Sequence, residues 1–550
     1  MTSPFNKRNV FNLSHEHKLT CDMGKLVPIL VEEVLPGDTW RCKTDIVLRL
    51  APLLAPIMHR VDVFTHFFFV PNRLVFDKWE SFITGGEDGQ DDTVPPTITA
   101  GSDGFAVGSL ADYMGLPTGV KGITVSAMPF RAYDLIYNEW YRDENNIEPV
   151  TVSTDAGSDV TTSTVLLDRA WEKDYFTSAL PWTQKGTAAS LPIGTLGRIP
   201  VVGDGQHFIA MDLSDYGTAG EGNKMTSKES TIGSAGFGGA RFTLINGSTS
   251  GSTGTISSEG NASTQLVAQQ RGLNITSDPD KTTVYADASD ISIGSATIND
   301  LRLAFQVQRW LEKNARSGSR YVESILAHFG VRSSDARLQR PEYLGGGRSP
   351  IIISEVLQTS QTDATSAQPL GQMGGHGFSA QRTHQFTKSF EEHGFIIGIM
   401  SIMPRTSYQQ GIRRMWSRDT RYDYYWPVFA HLGEQAILNK EIYAQDPTTD
   451  TGSTGTPDNE RVFGYQNRYD EYRRRESQVH GQFRTTMNFW HMGRIFDSLP
   501  ALNSTFINSD PTKRINAVTE EDNCWVEIYH NIKAIRPMPK RGVPGLIDHD

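Results

Sequence analysis

Between about Val201 and Ile298 the chain stops reading like packed protein. About two fifths of this tract is Gly, Ser or Thr, and acidic residues outnumber basic ones about two to one. The tract ends abruptly at Asn299-Asp-Leu-Arg-Leu-Ala-Phe-Gln-Val-Gln-Arg-Trp-Leu-Glu-Lys, one of the most ordered-looking passages of the sequence. A long polar insertion inside a dense aromatic framework describes a scaffold that displays something outward. It points towards surface architecture and away from a compact catalytic domain. Apolar islands within it, Arg241-Phe-Thr-Leu-Ile and Lys281-Thr-Thr-Val-Tyr, are expected to form small hairpins. Three glycosylation sequons, beginning at Asn246, Asn261 and Asn274, read as chance matches in Ser/Thr-rich sequence.

The flanks carry the periodicities of folded structure. Lys25-Leu-Val-Pro-Ile-Leu-Val-Glu-Glu-Val-Leu is β-prone and is ended by the turn Pro36-Gly37-Asp38. Thr39 to Leu50 follows, with Arg41, Lys43, Asp45 and Arg49 at odd positions, the alternation of a strand with one solvated face. Val61-Asp-Val-Phe-Thr-His-Phe-Phe-Phe-Val-Pro is too apolar for an exposed strand, so a central position is expected, closed by Pro71. Ala127 to Asn145 is predicted as a helix, with Phe130, Tyr133, Asp134, Ile136, Tyr137, Trp140 and Tyr141 at helical spacing. The plain reading is core packing; interface anchoring is the other.

After the tract, Thr297-Ile-Asn-Asp300 resembles a capping box. Leu301, Phe305, Gln308 and Leu311 line one helical face, with Ala304 and Ala315 beside it, and Gly318 is the expected stop. A second helix is predicted over Tyr321 to Phe329, ending at Gly330. Leu338-Gln-Arg-Pro-Glu-Tyr-Leu-Gly-Gly-Gly is expected to be loop, Pro350-Ile-Ile-Ile-Ser-Glu-Val a strand, and Phe395-Ile-Ile-Gly-Ile-Met-Ser-Ile-Met a buried strand. The last third is rich in Trp, Tyr and Arg. Its end, from Arg536 on, carries three prolines that favour an extended arm reaching a neighbouring subunit.

Low charge (21%) with 10% aromatics argues against disorder across 550 residues, and 50 Gly with 27 Pro suits a β-rich chain with many turns. The formal net charge of -11 excludes broad electrostatic binding of nucleic acid by the whole surface. Any such contact must be local or shared with a basic partner. Cys21, Cys42 and Cys524 give neither a disulfide framework nor a zinc pattern, which fits assembly in a reducing compartment. No signal peptide and no run of apolar residues long enough to span a membrane is visible, so a soluble protein is expected.

Tests for chemistry return little. His15-Glu-His17 offers two imidazoles without a third ligand nearby, and Glu391-Glu-His393 reads as a solvated turn. No nucleophile elbow, P-loop or zinc-protease motif occurs. The glycine runs Gly236-Phe-Gly-Gly and Gly345-Gly-Gly read as turns or flexible insertion. Two basic patches interleave with aromatics, as single-stranded nucleic acid requires. One is Lys7, Arg8, His15, His17 and Lys18, with Phe5 and Phe11. The other is Tyr465-Gln-Asn-Arg-Tyr-Asp-Glu-Tyr-Arg-Arg-Arg475, where Asp470 and Glu471 favour intersubunit pairing.

Read together, several stretches resemble the major capsid protein of microviruses, the gokushovirus branch above all. They are Phe11-Asn-Leu-Ser-His-Glu-His-Lys, Val34-Leu-Pro-Gly-Asp, Phe68-Phe-Val-Pro-Asn-Arg-Leu, Ser178-Ala-Leu-Pro-Trp and Leu338-Gln-Arg-Pro-Glu-Tyr-Leu-Gly-Gly. Tyr408-Gln-Gln-Gly, Met415-Trp-Ser-Arg, Tyr424-Tyr-Trp-Pro, His431-Leu-Gly-Glu-Gln, Phe463-Gly-Tyr-Gln and Pro544-Gly-Leu-Ile-Asp continue the series in order. Only the polar tract fails to match in detail.

The resemblance implies a mainly β protein: a single eight-stranded antiparallel jelly roll of the viral capsid type, with long loop insertions and a few helices. Residues 1–200 and 299–550 would be its two parts, with an N-terminal and a C-terminal arm, and 201–298 a surface insertion forming a threefold protrusion. It implies sixty copies, through pentamers, in a T=1 icosahedral shell around a circular single-stranded DNA genome, and no enzyme activity. A small basic packaging peptide, a minor pilot protein and a host receptor are the implied partners. The virion, assembled in the bacterial cytoplasm, is the implied location. No cofactor is expected, although acidic loops leave room for structural calcium. Lys7, Arg8 and Lys18 are the candidate DNA contacts; Trp416, Tyr424, Trp426, Tyr465 and Arg474 are the candidate assembly residues. The alternative is a carbohydrate-binding or glycan-cleaving β-sandwich such as a phage adhesin or tailspike, which would need a carboxylate pair in a cleft. A cupin-type metalloenzyme comes third.

Overall fold

The computed structural model describes residues 8–87, 90–187, 199–200, 285–286, 298–318, 320–357, 359, 373–382, 386–448, 450 and 457–540. The chain divides into two compact units, Met1–Ala188 with Val307–Asp550, and Ala189–Gln306. In the second unit Ile199–Pro200 pairs antiparallel with Tyr285–Ala286. The polar tract therefore leaves and returns at one place. Tyr285 belongs to that closure rather than to a local hairpin, because its partner Pro200 lies at the other end of the tract. The island at Arg241, the three sequons, the run at Gly236 and the cap residue Thr297 lie outside the described residues.

The first unit is built on strands β1 Asn9–Asn12, β2 His15–Cys21, β3 Val27–Val34, β4 Thr39–Leu50, β5 Val61–Pro71, β6 Glu342–Pro350, β7 Ile352–Leu357, β8 Met373–Arg382, β9 Phe386–Ser389, β10 Gly394–Pro404, β11 Glu434–Leu438, β12 Val462–Asn467 and β13 Cys524–Arg536. All pairings among them are antiparallel. The larger sheet runs β1–β13–β4–β8–β7; β2 continues the line of β1 along β13, and β9 that of β8 along β4. The smaller sheet runs β6–β5–β10–β3. The chain passes repeatedly between the two sheets, so sequence neighbours such as β3 and β4 lie in different sheets. This is the arrangement of a viral-coat jelly roll.

Burial explains why each strand reads as it does. In β4, Trp40, Cys42, Thr44, Ile46, Leu48 and Leu50 are buried, while Arg41, Val47 and Arg49 are exposed. β13 repeats the alternation from Cys524 to Ala534. These side chains meet Val27, Ile29, Phe67, Phe69, Ile396 and Met400 of the smaller sheet in one core. A single face of the larger sheet is thus buried. By contrast β5 and β10 are buried along nearly their whole length, because the far side of the smaller sheet is covered as well. There helix α1, Met128–Ile136, packs Phe130, Tyr133 and Ile136 against Phe68, Val70 and Ile397. The Tyr133 hydroxyl donates to the Leu26 carbonyl at 2.8 Å and so fixes the helix to the strand region it covers. His530 ties the two sheets together, with Nε2 2.9 Å from the Ile29 carbonyl oxygen and Nδ1 2.9 Å from Thr44 Oγ1. Burial lowers its pKa to about 4.

Three expectations need correction. The predicted helix from Ala127 runs regularly only to Ile136, and Tyr137–Tyr141 continues as a wider π turn. This turn sets Trp140 and Tyr141 against Phe68 at centroid distances of 5.5 and 6.0 Å. The expected loop at Gly345-Gly-Gly is part of β6, paired with β5 across a register shift between Tyr343 and Gly345. The glycines permit this close approach: a Cβ on Gly346 would lie 2.4 Å from the Thr65 carbonyl oxygen. Helix α2, Ile298–Ser317, and helix α3, Tyr321–Phe329, form where expected, with Gly318 and Gly330 in the left-handed region after them. Of the expected sheltered face of α2, Ala315 is buried but Phe305 is exposed. No helix among the described residues is long and apolar enough to cross a membrane.

Candidate assembly surface

A third cluster lies under the β11–β12 pair. Tyr175, Phe176, Tyr408, Ile437, Phe463 and Phe506 make a small aromatic core. On this base the chain from Ile412 to Leu432 forms three short 3-10 turns, at Arg414–Trp416, Arg421–Asp423 and Pro427–Phe429. Its side chains are unusual for a surface. Trp416 is 75% exposed, Val428 82%, Tyr424 53% and Trp426 50%, with Met415, Tyr422, Tyr425 and Leu432 also exposed. Isolated exposed apolar residues are ordinary, but a contiguous aromatic stretch marks an interaction surface.

The surface is held in place from below. Trp426 Nε1 donates to the Arg421 carbonyl at 2.8 Å, and the Tyr469 hydroxyl donates to the Tyr424 carbonyl at 3.0 Å. The Arg418 guanidinium lies 5.3 Å from the Tyr424 ring centre, 4.6 Å from that of Tyr472, and 3.3 Å from Glu471. Glu471 also accepts from Gln435 of β11 at 2.6 Å. Asp423 accepts from the Thr420 amide and hydroxyl, which hold its carboxyl below the usual range. Tyr469 itself is buried with φ +65°, a left-handed conformation that a non-glycine residue adopts at a cost of about 1 kcal/mol or more. These contacts tie the aromatic loop to its own subunit, which lowers the ordering entropy lost on association.

The structure brings together Trp416, Tyr424 and Trp426 on one loop. Tyr465 is half-buried in β12 beneath it, its backbone exchanging hydrogen bonds of 2.8 Å with Leu180. Arg474 is exposed, 3.3 Å from Asp470 and from the Asp174 carbonyl. Burial raises the pKa of Asp470, against the pull of Arg474 and Arg473. Among the proposed DNA contacts, Lys7 lies outside the described residues. Arg8 sits at the β1 end of the larger sheet, near Gly37, and Lys18 on β2 opposite Glu527. Six residues of β13 separate the positions facing β1 and Lys18, roughly 20 Å, so Arg8 and Lys18 do not form one patch. Lys18 is also 2.8 Å from Glu16.

His15 and His17 are not arranged as metal ligands: each Nδ1 lies near a backbone carbonyl oxygen, of Leu13 and Ile29. Glu392 instead pairs with Arg73 at 2.7 Å. No group of three or more metal-ligating side chains occurs among the described residues.

Two facing antiparallel sheets with interleaved connections, and an ordered aromatic surface turned to solvent, define a shell-forming viral coat protein. The family model described as "Capsid protein (F protein)" matches residues 2–546, and the chain belongs to that family. It is 42% identical to the capsid protein VP1 of Chlamydia phage 1 (98% of this chain, 96% of the relative). It is 40% identical to that of Bdellovibrio phage phiMH2K (98% and 95%) and 30% identical to that of Spiroplasma virus 4 (98% and 95%). The gokushovirus resemblance stands, and the chain is a major capsid protein, structural rather than enzymatic.

Proposed function

We propose that the chain builds a T=1 icosahedral shell of sixty copies, through pentamers, around a circular single-stranded DNA genome. The observation that carries the shell is the preorganised aromatic surface at 412–432, with Trp416, Tyr424 and Trp426 as its anchors. Closed symmetric assembly needs such self-complementary surfaces, and Trp, Tyr and Arg carry most of the energy where copies meet. Tyr465 of β12 and Arg474, outside the loop, are the other two assembly residues in this reading. Lys7, Arg8 and Lys18 are the N-terminal DNA contacts in this reading. A small basic peptide supplies the counter-charge that a chain of net charge -11 lacks, and a minor pilot protein completes the particle. The tract 201–298 forms the surface protrusions and meets the host receptor. Assembly takes place in the bacterial cytoplasm, and the reading calls for no cofactor.

The test is the Trp416→Ala, Trp426→Ala double variant, followed by sedimentation velocity and negative-stain microscopy. Folded subunits that fail to close shells are expected. Shells of ordinary size and yield would count against this surface as the contact between copies.

A further inference from the structure

The larger sheet has one buried face, and the other is open. Antiparallel register fixes what that open face carries. Lys533 of β13 lies directly opposite Arg41 of β4, Asn531 opposite Lys43, Tyr529 opposite Asp45, Glu527 opposite Val47 and Trp525 opposite Arg49. On the other side of β13, Lys18 of β2 faces Glu527 and Asn12 of β1 faces Lys533. At one end of the face Arg41, Lys43 and Lys533 stand with one carboxylate, Asp45; at the other, Lys18 and Arg49 stand with Glu16, Glu527, Asp112 and Asp522. The Arg41–Lys533 end is net positive on a chain that is strongly negative overall.

The charges are not evenly matched. Lys18 lies 2.8 Å from Glu16 and 3.9 Å from Glu527, and Lys43 3.9 Å from Asp45. Arg41, Arg49 and Lys533 have no ion pair among the described residues. Arg41 and Lys533 are a directly opposed like-charge pair, an arrangement that destabilises a sheet unless something anionic lies over it. At the other end of the face Trp525 and Tyr529 are exposed. Trp525, Arg49, Lys18 and Val47 line a cavity of about 710 Å³ walled by Val107 and Tyr113.

We propose that this open sheet face is a binding lane for single-stranded nucleic acid, with Arg41, Lys43 and Lys533 holding phosphates and Trp525 and Tyr529 stacking bases. The proposal rests on the reading that the shell encloses single-stranded DNA, and it supplies a location which the N-terminal residues alone do not. Alternate residues of one strand are about 6.7 Å apart on a face, so the lane from Lys533 to Trp525 extends roughly 27 Å, room for several nucleotides. Cations such as Arg41 and Lys533, without an ion pair among the described residues, attract the backbone without reading sequence, and exposed rings stack on any base. The carboxylates at the Trp525 end leave phosphates to the Arg41–Lys533 end and favour uncharged bases in the cavity.

The experiment measures anisotropy of a fluorescein-labelled oligothymidylate titrated with the purified full-length subunit across a salt series. For Arg41→Gln with Lys533→Gln, the slope of log affinity against log salt falls by about 1.4, the loss of two single-strand phosphate contacts. The same variant melts at or above the wild-type temperature, because its like-charge pair is gone; a melt well below wild type, with lost binding, would overturn the account of that pair. Trp525→Leu with Tyr529→Leu weakens binding roughly tenfold with the slope unchanged. Oligonucleotide binding with wild-type slope in the charge variant would overturn the lane while leaving the DNA-enclosing reading intact. A wild-type subunit that fails to bind the oligonucleotide at low salt would count against both.

Discussion

Asp134 shows how much a single buried group can govern. It lies in α1 under the smaller sheet, fully buried, with neither carboxyl oxygen satisfied within ordinary hydrogen-bond limits, although the Ser163 amide approaches it. Burial pushes its pKa up to about 8, and the nearby Asp159 adds to the rise. Asp159 itself stays charged. Burial opposes this, but the Thr162 hydroxyl and amide and the Arg131 guanidinium, 2.7 Å away, hold its carboxyl well below the usual range. For Asp134 the folded state binds the proton more tightly than the unfolded state, so stability falls as pH rises from about 4 towards 8. Asp134→Asn removes that slope. Thermal melts are expected to show the variant equal to wild type near pH 4 and more stable at pH 7.5, by roughly 2–4 kcal/mol. A wild-type pH profile in the variant would refute the assignment. All three cysteines are buried, and burial raises the pKa of Cys42 to about 12 and that of Cys524 well above the usual thiol range. Native protein at pH 8 should leave a thiol reagent unconsumed, and urea-unfolded protein should consume three equivalents. Rapid native labelling would mean that the sheet edges open.

Elements differed in how plainly the sequence announced them. β4 and β10 were legible because alternation and continuous apolarity report one buried face and two. β13, the strand that completes the larger sheet, was not singled out, although Val526, Ile528, Ile532 and Ala534 alternate as clearly as β4. Trp, Tyr and His stand at its remaining positions, and the prolines beyond Arg536 read as an extended arm. β6 was missed for the opposite reason, since three glycines signal a break unless the partner strand that needs them is known. That need is measurable. Gly346→Val should cost about 3 kcal/mol or prevent folding, since its Cβ meets the β5 backbone, whereas Gly101→Ala, with nothing within 4 Å, should change urea stability by less than about 0.5 kcal/mol. Equal stability of the two variants would contradict the pairing of β6 with β5. The assembly residues were legible as composition, in the Trp, Tyr and Arg of the last third. The clustering of Trp416, Tyr424 and Trp426 on one loop depends on contacts through Tyr469 and Arg418, which no local pattern encodes.

At the scale of the whole molecule, the smaller sheet is covered on both sides, the larger sheet is open on one, and an aromatic loop stands exposed beside a small core of its own. A coat protein must meet its own copies, its cargo and the outside. In the proposed reading the aromatic loop meets other copies, the open sheet face meets the cargo, and the polar tract, whose ends pair at Ile199–Pro200 and Tyr285–Ala286, meets the outside. Deleting residues 205–295 separates the last from the others. Shells that still close would assign the tract to display alone, and loss of shells would assign it to contacts between copies as well. Cryo-electron microscopy of shells assembled from the purified chain should show sixty-copy particles in which Trp416, Tyr424 and Trp426 are buried between neighbouring subunits and Arg41 and Lys533 line the interior. Particles with the aromatic loop on the outer surface and in contact with no other copy would contradict this arrangement.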